Sequence, residues 1–197
     1  MREYKASAVK HLFWFVEAKE TARLLEAHAM EEVREIVLRE NLYQQNQESR
    51  LKNQFSCIRA RLEALPDSLI SLLVSADLRT AKLVNLIGCM ASDPLFFDLM
   101  YEVYGGKLCY GGENISDGDL HVFFKDKQEE NEKISRFSQG AIRKLKQVYS
   151  RYMFEAGIIQ AKGQERIVAK PYIEPELRQE LQNNGMGNYL AALTGEK

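Results

Sequence analysis

Cysteine is scarce in this chain of 197 residues, and the three present, Cys57, Cys89 and Cys109, stand far apart. Their spacing gives neither a metal-ligand motif nor a disulfide framework, and reads as reduced thiols in a cytosolic protein. Histidine is as rare: His11, His28 and His121 lie in no metal-binding pattern. There is no GxxxxGK[ST] loop, which excludes the ordinary phosphate-cradling ATPase site. Gly105, Gly106, Gly111 and Gly112 flank Tyr110 and read as turn residues. The acidic pairs Asp117 with Asp119 and Glu129 with Glu130 could suggest a metal nuclease, but the first pair is better explained by the favourable charge at a helix start. The expectation is a protein without catalysis, cofactor or metal. Long apolar runs are also missing. "HLFWFV" at 11–16 and "SLISLLVSADL" are too short to cross a bilayer, and no signal peptide opens the chain, so a soluble, cytoplasmic protein with no membrane partner is expected.

What the chain does contain is enough apolar material for a core, with hydrophobic residues at 45%. The net charge is −1, which argues against a surface that coats any polyanion but not against a local basic face. The charge is unevenly placed. Residues 66–130 hold 5 basic and 11 acidic side chains, whereas residues 131–197 hold 11 and 7. An acidic middle and a basic end are compatible with a nucleic-acid-binding patch and equally with a solvated surface.

Helical periodicity dominates. "VKHLFWFVEAKETARLLEAH" predicts a first helix in which Leu12, Phe15, Val16, Ala22 and Leu25 share much of an apolar face. "MEEVREIVLRENLY" predicts a second, with Val33, Val37 and Leu38 inward. The cleanest stripe is in "SRLKNQFSCIRARLEAL", where Leu51, Phe55, Ile58, Leu62 and Leu65 recur at spacings of four and three before Pro66 ends the helix. Two central helices follow, the second capped by Asp77 and apolar over a wide arc. Asp93 and Pro94 open the next helix, and Gly105-Gly106 is expected to stop it. Ser116 with Asp119 forms a capping box. Ser138 caps a long helix to Ala156, and Gly157 stops it. "IIQAKGQERIVAK" predicts two short strands around a Lys162-Gly163 turn, closed by Pro171. Two short helices end the chain.

Helix, short gap, capped helix and hairpin is the order of a winged helix-turn-helix. On the 138–156 helix, Ile142, Leu145, Tyr149, Tyr152 and Ala156 cluster on one side. Arg143, Gln147, Ser150 and Arg151 lie on the other with Lys144 beside them, a basic and amide face suited to phosphates and base edges. Lys162 and Arg166 would sit on the wing. Phe154 falls on the polar side and is expected to pack under the wing or against a neighbour. A second basic set, Arg50, Lys52, Arg59 and Arg61, borders the apolar stripe of the third helix. Its long stems would also serve simply to cover the edge of the core.

Taken in order, "KHLFWFVEAKETARLL", "RENLYQQNQESRLKNQFSCIRARLEAL", "AKLVNLIGCMASDPLFFDLMYEVY", "ISDGDLHVFFKDKQEENEKISRFSQGAIRKLKQVYSRYMFEAGII" and "EPELRQELQNNGMGNYLAALTG" resemble the BrxA family of bacteriophage exclusion (BREX) systems over almost the whole chain. The likeness rests on the order and spacing of these segments, not on a short signature. It implies a small, mainly helical DNA-binding protein with helix-turn-helix-like parts and a NusB-like core. It also implies an antiphage island that encodes a methyltransferase, an ATPase and a phosphatase-like protein. The family carries no assigned enzymatic activity. The resemblance maps 138–156 with 158–170 onto the family's winged part and 29–65 onto its N-terminal helical pair.

The sequence therefore predicts a mainly α protein in three regions: a helix-turn-helix-like part over 1–65, a central core over 66–112, and a winged-helix-like part over 113–197. The function expected is non-enzymatic binding of double-stranded DNA in BREX defence. The alternatives are a scaffold among BREX components, with apolar surface near Phe13, Trp14 and Phe96–Phe97, a transcriptional regulator, or an RNA binder.

Overall fold

The computed structural model describes Tyr4, residues 11–162 and residues 165–196. The chain is mainly helical with a small three-stranded antiparallel sheet. It divides into two compact units, Phe13–Ser92 and a second made of Met1–Leu12 with Asp93–Lys197. The apolar stripe of the third helix is covered by helices that precede and follow it within the first of these units.

The first unit holds α1 (Phe15–Leu25), α2 (Met30–Glu40), α3 (Glu48–Glu63), α4 (Asp67–Ser75) and α5 (Leu78–Ser92). Leu51, Phe55, Ile58, Leu62 and Leu65 are all buried, as the four-and-three spacing requires. In α5 every residue from Leu83 to Met90 is buried. Asp77 Oδ1 accepts from the amides of Arg79 (2.8 Å) and Thr80 (3.4 Å), which satisfies donors that the first turn leaves unpaired. A Cβ on Gly88 would stand 3.3 Å from both the Arg61 carbonyl and the Leu65 side chain, so glycine lets α5 lie close against α3.

The first helix departs from expectation. It begins at Phe15, not before His11, and Leu12 and Val16 are exposed while Ala18, Thr21 and Ala22 are buried. The cause is a polar clamp. Arg61 is buried, and its Nη1 donates to the Phe13 carbonyl at 2.7 Å; Asn85 Nδ2 donates to the same oxygen at 3.0 Å. That carbonyl is taken out of any helical ladder, Phe13 is buried as an anchor, and Trp14 turns through a left-handed conformation (φ 46°). The Arg61 guanidinium lies 5.6 Å from the centre of the Trp14 ring.

The second unit runs α6 (Pro94–Leu99), a π turn (Met100–Tyr104), α7 (Gly105–Tyr110), β1 (Asn114–Ile115), α8 (Asp117–Glu130), α9 (Glu132–Ser135), α10 (Gln139–Glu155), β2 (Ile159–Lys162), β3 (Glu165–Val168), α11 (Pro175–Asn183) and α12 (Gly187–Thr194). Gly105-Gly106 does not stop the helix, which passes on to Tyr110 and ends at Gly111 (φ 71°). A Cβ on Gly105 would meet the Ala192 carbonyl at 3.2 Å, so this glycine serves the close approach of α12 and not a turn. The Ser116–Asp119 capping box is present: the Asp119 amide donates to Ser116 Oγ (3.0 Å) and the Ser116 amide to Asp119 Oδ2 (2.7 Å). The sheet order is β1-β3-β2, all antiparallel, with Asn114 opposite Ile167 and Ile159 opposite Val168. The expected turn residue Gly163 lies outside the described residues.

The centre of this unit is aromatic. Phe96 packs on Tyr149 (4.9 Å between ring centres) and edge-on to Tyr152 (5.3 Å). Tyr149 donates its hydroxyl to Asp93 Oδ2 at 2.8 Å, and Asp93 Oδ1 accepts from the amides of Leu95 and Phe96. Burial pushes the Tyr149 hydroxyl well above the usual tyrosine range, and the Asp93 carboxylate adds to the shift, so the phenol stays a donor at any ordinary pH. Tyr149→Phe keeps the ring and removes the donor. It is expected to lower the unfolding free energy by ~1–3 kcal/mol, since the capping carboxylate loses a buried partner. The exposed Tyr172→Phe control should stay within ~0.5 kcal/mol. Urea unfolding of both variants checks this, and equal stability of the two would contradict it.

Candidate nucleic-acid interface

The face in question is built on α10. Its N-terminus is set by Ser138, whose Oγ accepts from the Ala141 amide at 3.2 Å. Its inner face is fixed by Ile142, Leu145, Tyr149, Tyr152 and Met153, all buried, with Ala156 buried just past its end. With that face committed, Arg143, Lys144, Gln147 and Arg151 point outward and are exposed. Arg143, Gln147 and Arg151 are four residues apart, so they form one stripe. At 1.5 Å per residue the stripe is ~12 Å long, close to the width of a DNA major groove of ~12 Å. No acidic residue occupies the first turn of α10. Arg143 and Lys144 have no ion-pair partner among the described residues, while Arg151 Nε donates to Glu155 Oε1 at 2.6 Å within the last turns. Lys146 is set apart from this stripe. It is half-buried with its ammonium 5.8 Å from the Phe124 ring centre, and burial pulls its pKa below the usual lysine range. Phe154 is 53% exposed and is not buried under the hairpin as expected.

Two helices and a turn lead into α10. Asn131 ends α8 and caps α9, its Oδ1 accepting from the amides of Lys133 (2.9 Å) and Ile134 (3.3 Å), and Ile134 is buried. Gly157 (φ 79°) then turns the chain from α10 into the hairpin. Within the hairpin, Lys162 pairs across the strands with Glu165, and its side chain lies outside the described residues.

Arg166 does not stand out on the hairpin as the sequence suggested. Its side chain is only 23% exposed and turns back on the unit: Nε donates to Ser150 Oγ on α10 (3.0 Å), Nη1 to the Ile115 carbonyl on β1 (3.5 Å), and Nη2 pairs with Asp117 at the start of α8 (2.8 Å). It ties helix, sheet and helix start together. Ser150, read from the sequence only as part of the outer face, is its partner. No sequence signal marks this contact, because Ile115 and Asp117 come next to it only through β1, a strand too short to show a period.

The basic set on α3 is not one surface. Arg50 is exposed. Lys52 pairs with Glu48 (2.5 Å), and Arg59 pairs with both Glu31 (2.6 Å) and Glu63 (2.7 Å). Arg61 is 2% exposed and consumed by the Phe13 clamp, so it is removed from any contact surface. The helical phase placed it at the edge of the apolar stripe, and the structure resolves that edge as core. Cys57 is half-buried, Cys89 buried and Cys109 exposed. Among the described residues no group of three or more His, Cys, Asp or Glu side chains is gathered as for a metal ion, and no helix is long and apolar enough to cross a membrane.

Comparison with known proteins agrees over the whole length. The BrxA family profile matches residues 2–185. A BREX protein BrxA from Bacillus cereus (strain H3081.97) is 34% identical over 194 residues, covering 98% of this chain and 97% of its own. A crystal structure of an uncharacterized protein from Magnetospirillum magneticum superposes with a TM-score of 0.85 at 18% identity, covering 99% of this chain and 100% of that one, which speaks for the fold alone. The chain belongs to the BrxA family.

Proposed function

We propose that this protein is a double-stranded DNA-binding component of a BREX system that acts without chemistry of its own, and that α8–α10 with the three-stranded sheet form a winged helix. The observation that carries the reading is the combination of a β1-β3-β2 sheet threaded around α8, α9 and α10 with the outward stripe of Arg143, Lys144, Gln147 and Arg151. The hydrogen bond from Arg166 on β3 to Ser150 on α10 supports that reading, since a wing would lie against its recognition helix. The arginines and Lys144 would meet phosphates and Gln147 a base edge, with Lys162 reaching from the wing. Arg166 acts on this reading as a brace that fixes the wing against α10. Arg50, with Lys52 and Arg59 once their ion pairs open, would supply a weaker second contact. The five-helix unit over 13–92 is the NusB-like part in the same proposal, supported by its all-helical make-up and by family membership. Binding is to be expected in the cytoplasm, where the DNA is.

Two outcomes test this. Fluorescence anisotropy with labelled duplex DNA, single-stranded DNA and duplex RNA at several salt concentrations should show the duplex bound with steep salt dependence. The double variant R143E/R151E should reduce the slope of log K against log salt by about 2, since each phosphate contact contributes ~0.9. Unchanged affinity and slope in that variant, or preference for duplex RNA, would overturn the proposal. Arg166→Gln should behave differently: weaker binding at an unchanged salt slope, with faster amide exchange in β2 and β3. A slope reduced by ~1 would make Arg166 a phosphate contact instead.

A further inference from the structure

The second unit carries a groove of about 710 Å³ between α7 and α8, away from the α10 stripe in composition as well as in sequence. Its volume falls within the range of ~300–1,000 Å³ usual for binding clefts. Gly106 and Tyr110 line it from α7, Val122, Phe123 and Asp126 from α8. Tyr110 is 84% exposed and Val122 56% exposed, two large apolar side chains brought from two elements to one concave surface. Scattered apolar residues on a surface need no explanation, but convergence on a groove marks an interaction site.

The rim is negative. At one end Lys107 and Asp119 neutralise each other at 2.9 Å. At the other, the single ammonium of Lys127 is shared by the exposed carboxylates of Glu102 (2.6 Å) and Glu130 (3.5 Å), which leaves that trio with excess negative charge. Asp126, exposed beside it, has no ion-pair partner among the described residues. A phosphate-bearing ligand would be repelled here, and an acidic peptide likewise. We infer that the α7–α8 groove docks a peptide segment of another protein, one that presents an aliphatic or aromatic anchor flanked by lysine or arginine. The anchor would fill the space over Gly106 between Tyr110 and Val122, and the flanking cations would meet Asp126 and the carboxylates around Lys127. The inference does not depend on DNA binding, since it uses none of the α10 residues.

Gly106 supplies a clean test. A Cβ at this position meets nothing within 4 Å, and the residue lies within a helix, so Gly106→Leu fills the groove without disturbing the fold and replaces a poor helix former with a good one. The probe is a displayed library of random twelve-residue peptides selected against the full-length protein, followed by synthesis of the enriched sequences. The expected result is enrichment of an apolar residue flanked by Lys or Arg. Those peptides should bind about tenfold or more weakly to Gly106→Leu and to Asp126→Lys, with thermal stability not lowered and duplex binding retained. Enriched peptides that are acidic or lack charge, or that bind both variants as well as the parent protein, would overturn the inference. So would concentration-dependent self-association by sedimentation that Gly106→Leu abolishes, which would assign the groove to a second copy of this chain.

Discussion

The hydrogen bond from Tyr149 to Asp93 is the constraint on which the second unit turns. Asp93 uses one oxygen to cap α6 and the other to hold a buried phenol on α10. The apolar inner face sets the phase of α10, and the buried Tyr149 hydroxyl, matched to one half-buried carboxylate oxygen, sharpens it. With Tyr149 fixed inward, residues 143, 147 and 151 are fixed outward, and the charge of the exposed face follows from core chemistry. Arg166 extends the same logic to the sheet: through Ser150 it references the hairpin to α10, and through the Ile115 carbonyl and Asp117 to the strand and helix that precede it. The first unit is organised by a comparable polar centre, the Phe13 carbonyl held by Arg61 and Asn85.

The placing of positive and negative charge makes sense of a chain whose net charge is −1. The nearly balanced charges are segregated, with bare cations on α10 and excess carboxylate along α8 and around Lys127. On the functional reading advanced above, a polyanion is steered to one face and discouraged from the other, which leaves the acidic groove for a cationic protein segment. Two partners of opposite charge could then be held without competing for the same side chains.

Much of this was legible in the sequence, and the failures share a cause. The α3 stripe, the Asp93-Pro94 start, the Ser116–Asp119 box, the α10 face and the hairpin are all local patterns, decided within a few residues by periodicity, capping and turn chemistry. What sequence reading missed depends on long-range partners. Arg61 looked like surface because its partner, the Phe13 carbonyl, is 48 residues away and belongs to the backbone. The start of α1 was misplaced for the same reason. Gly105 looked like a stop because its real neighbour is the carbonyl of Ala192. Arg166 kept its predicted element, but its side chain turns to three partners on β1, α8 and α10 that lie far from it in sequence.

The central claim is that the α10 face with its hairpin is where duplex DNA lies. Amide hydrogen exchange of the full-length protein, with and without a saturating duplex, tests it most directly. The account predicts slowed exchange across Gln139–Glu155 and β2–β3, and a smaller effect, if any, along α3. Protection confined to α1–α5, or none on α10 while the duplex is demonstrably bound, would contradict it.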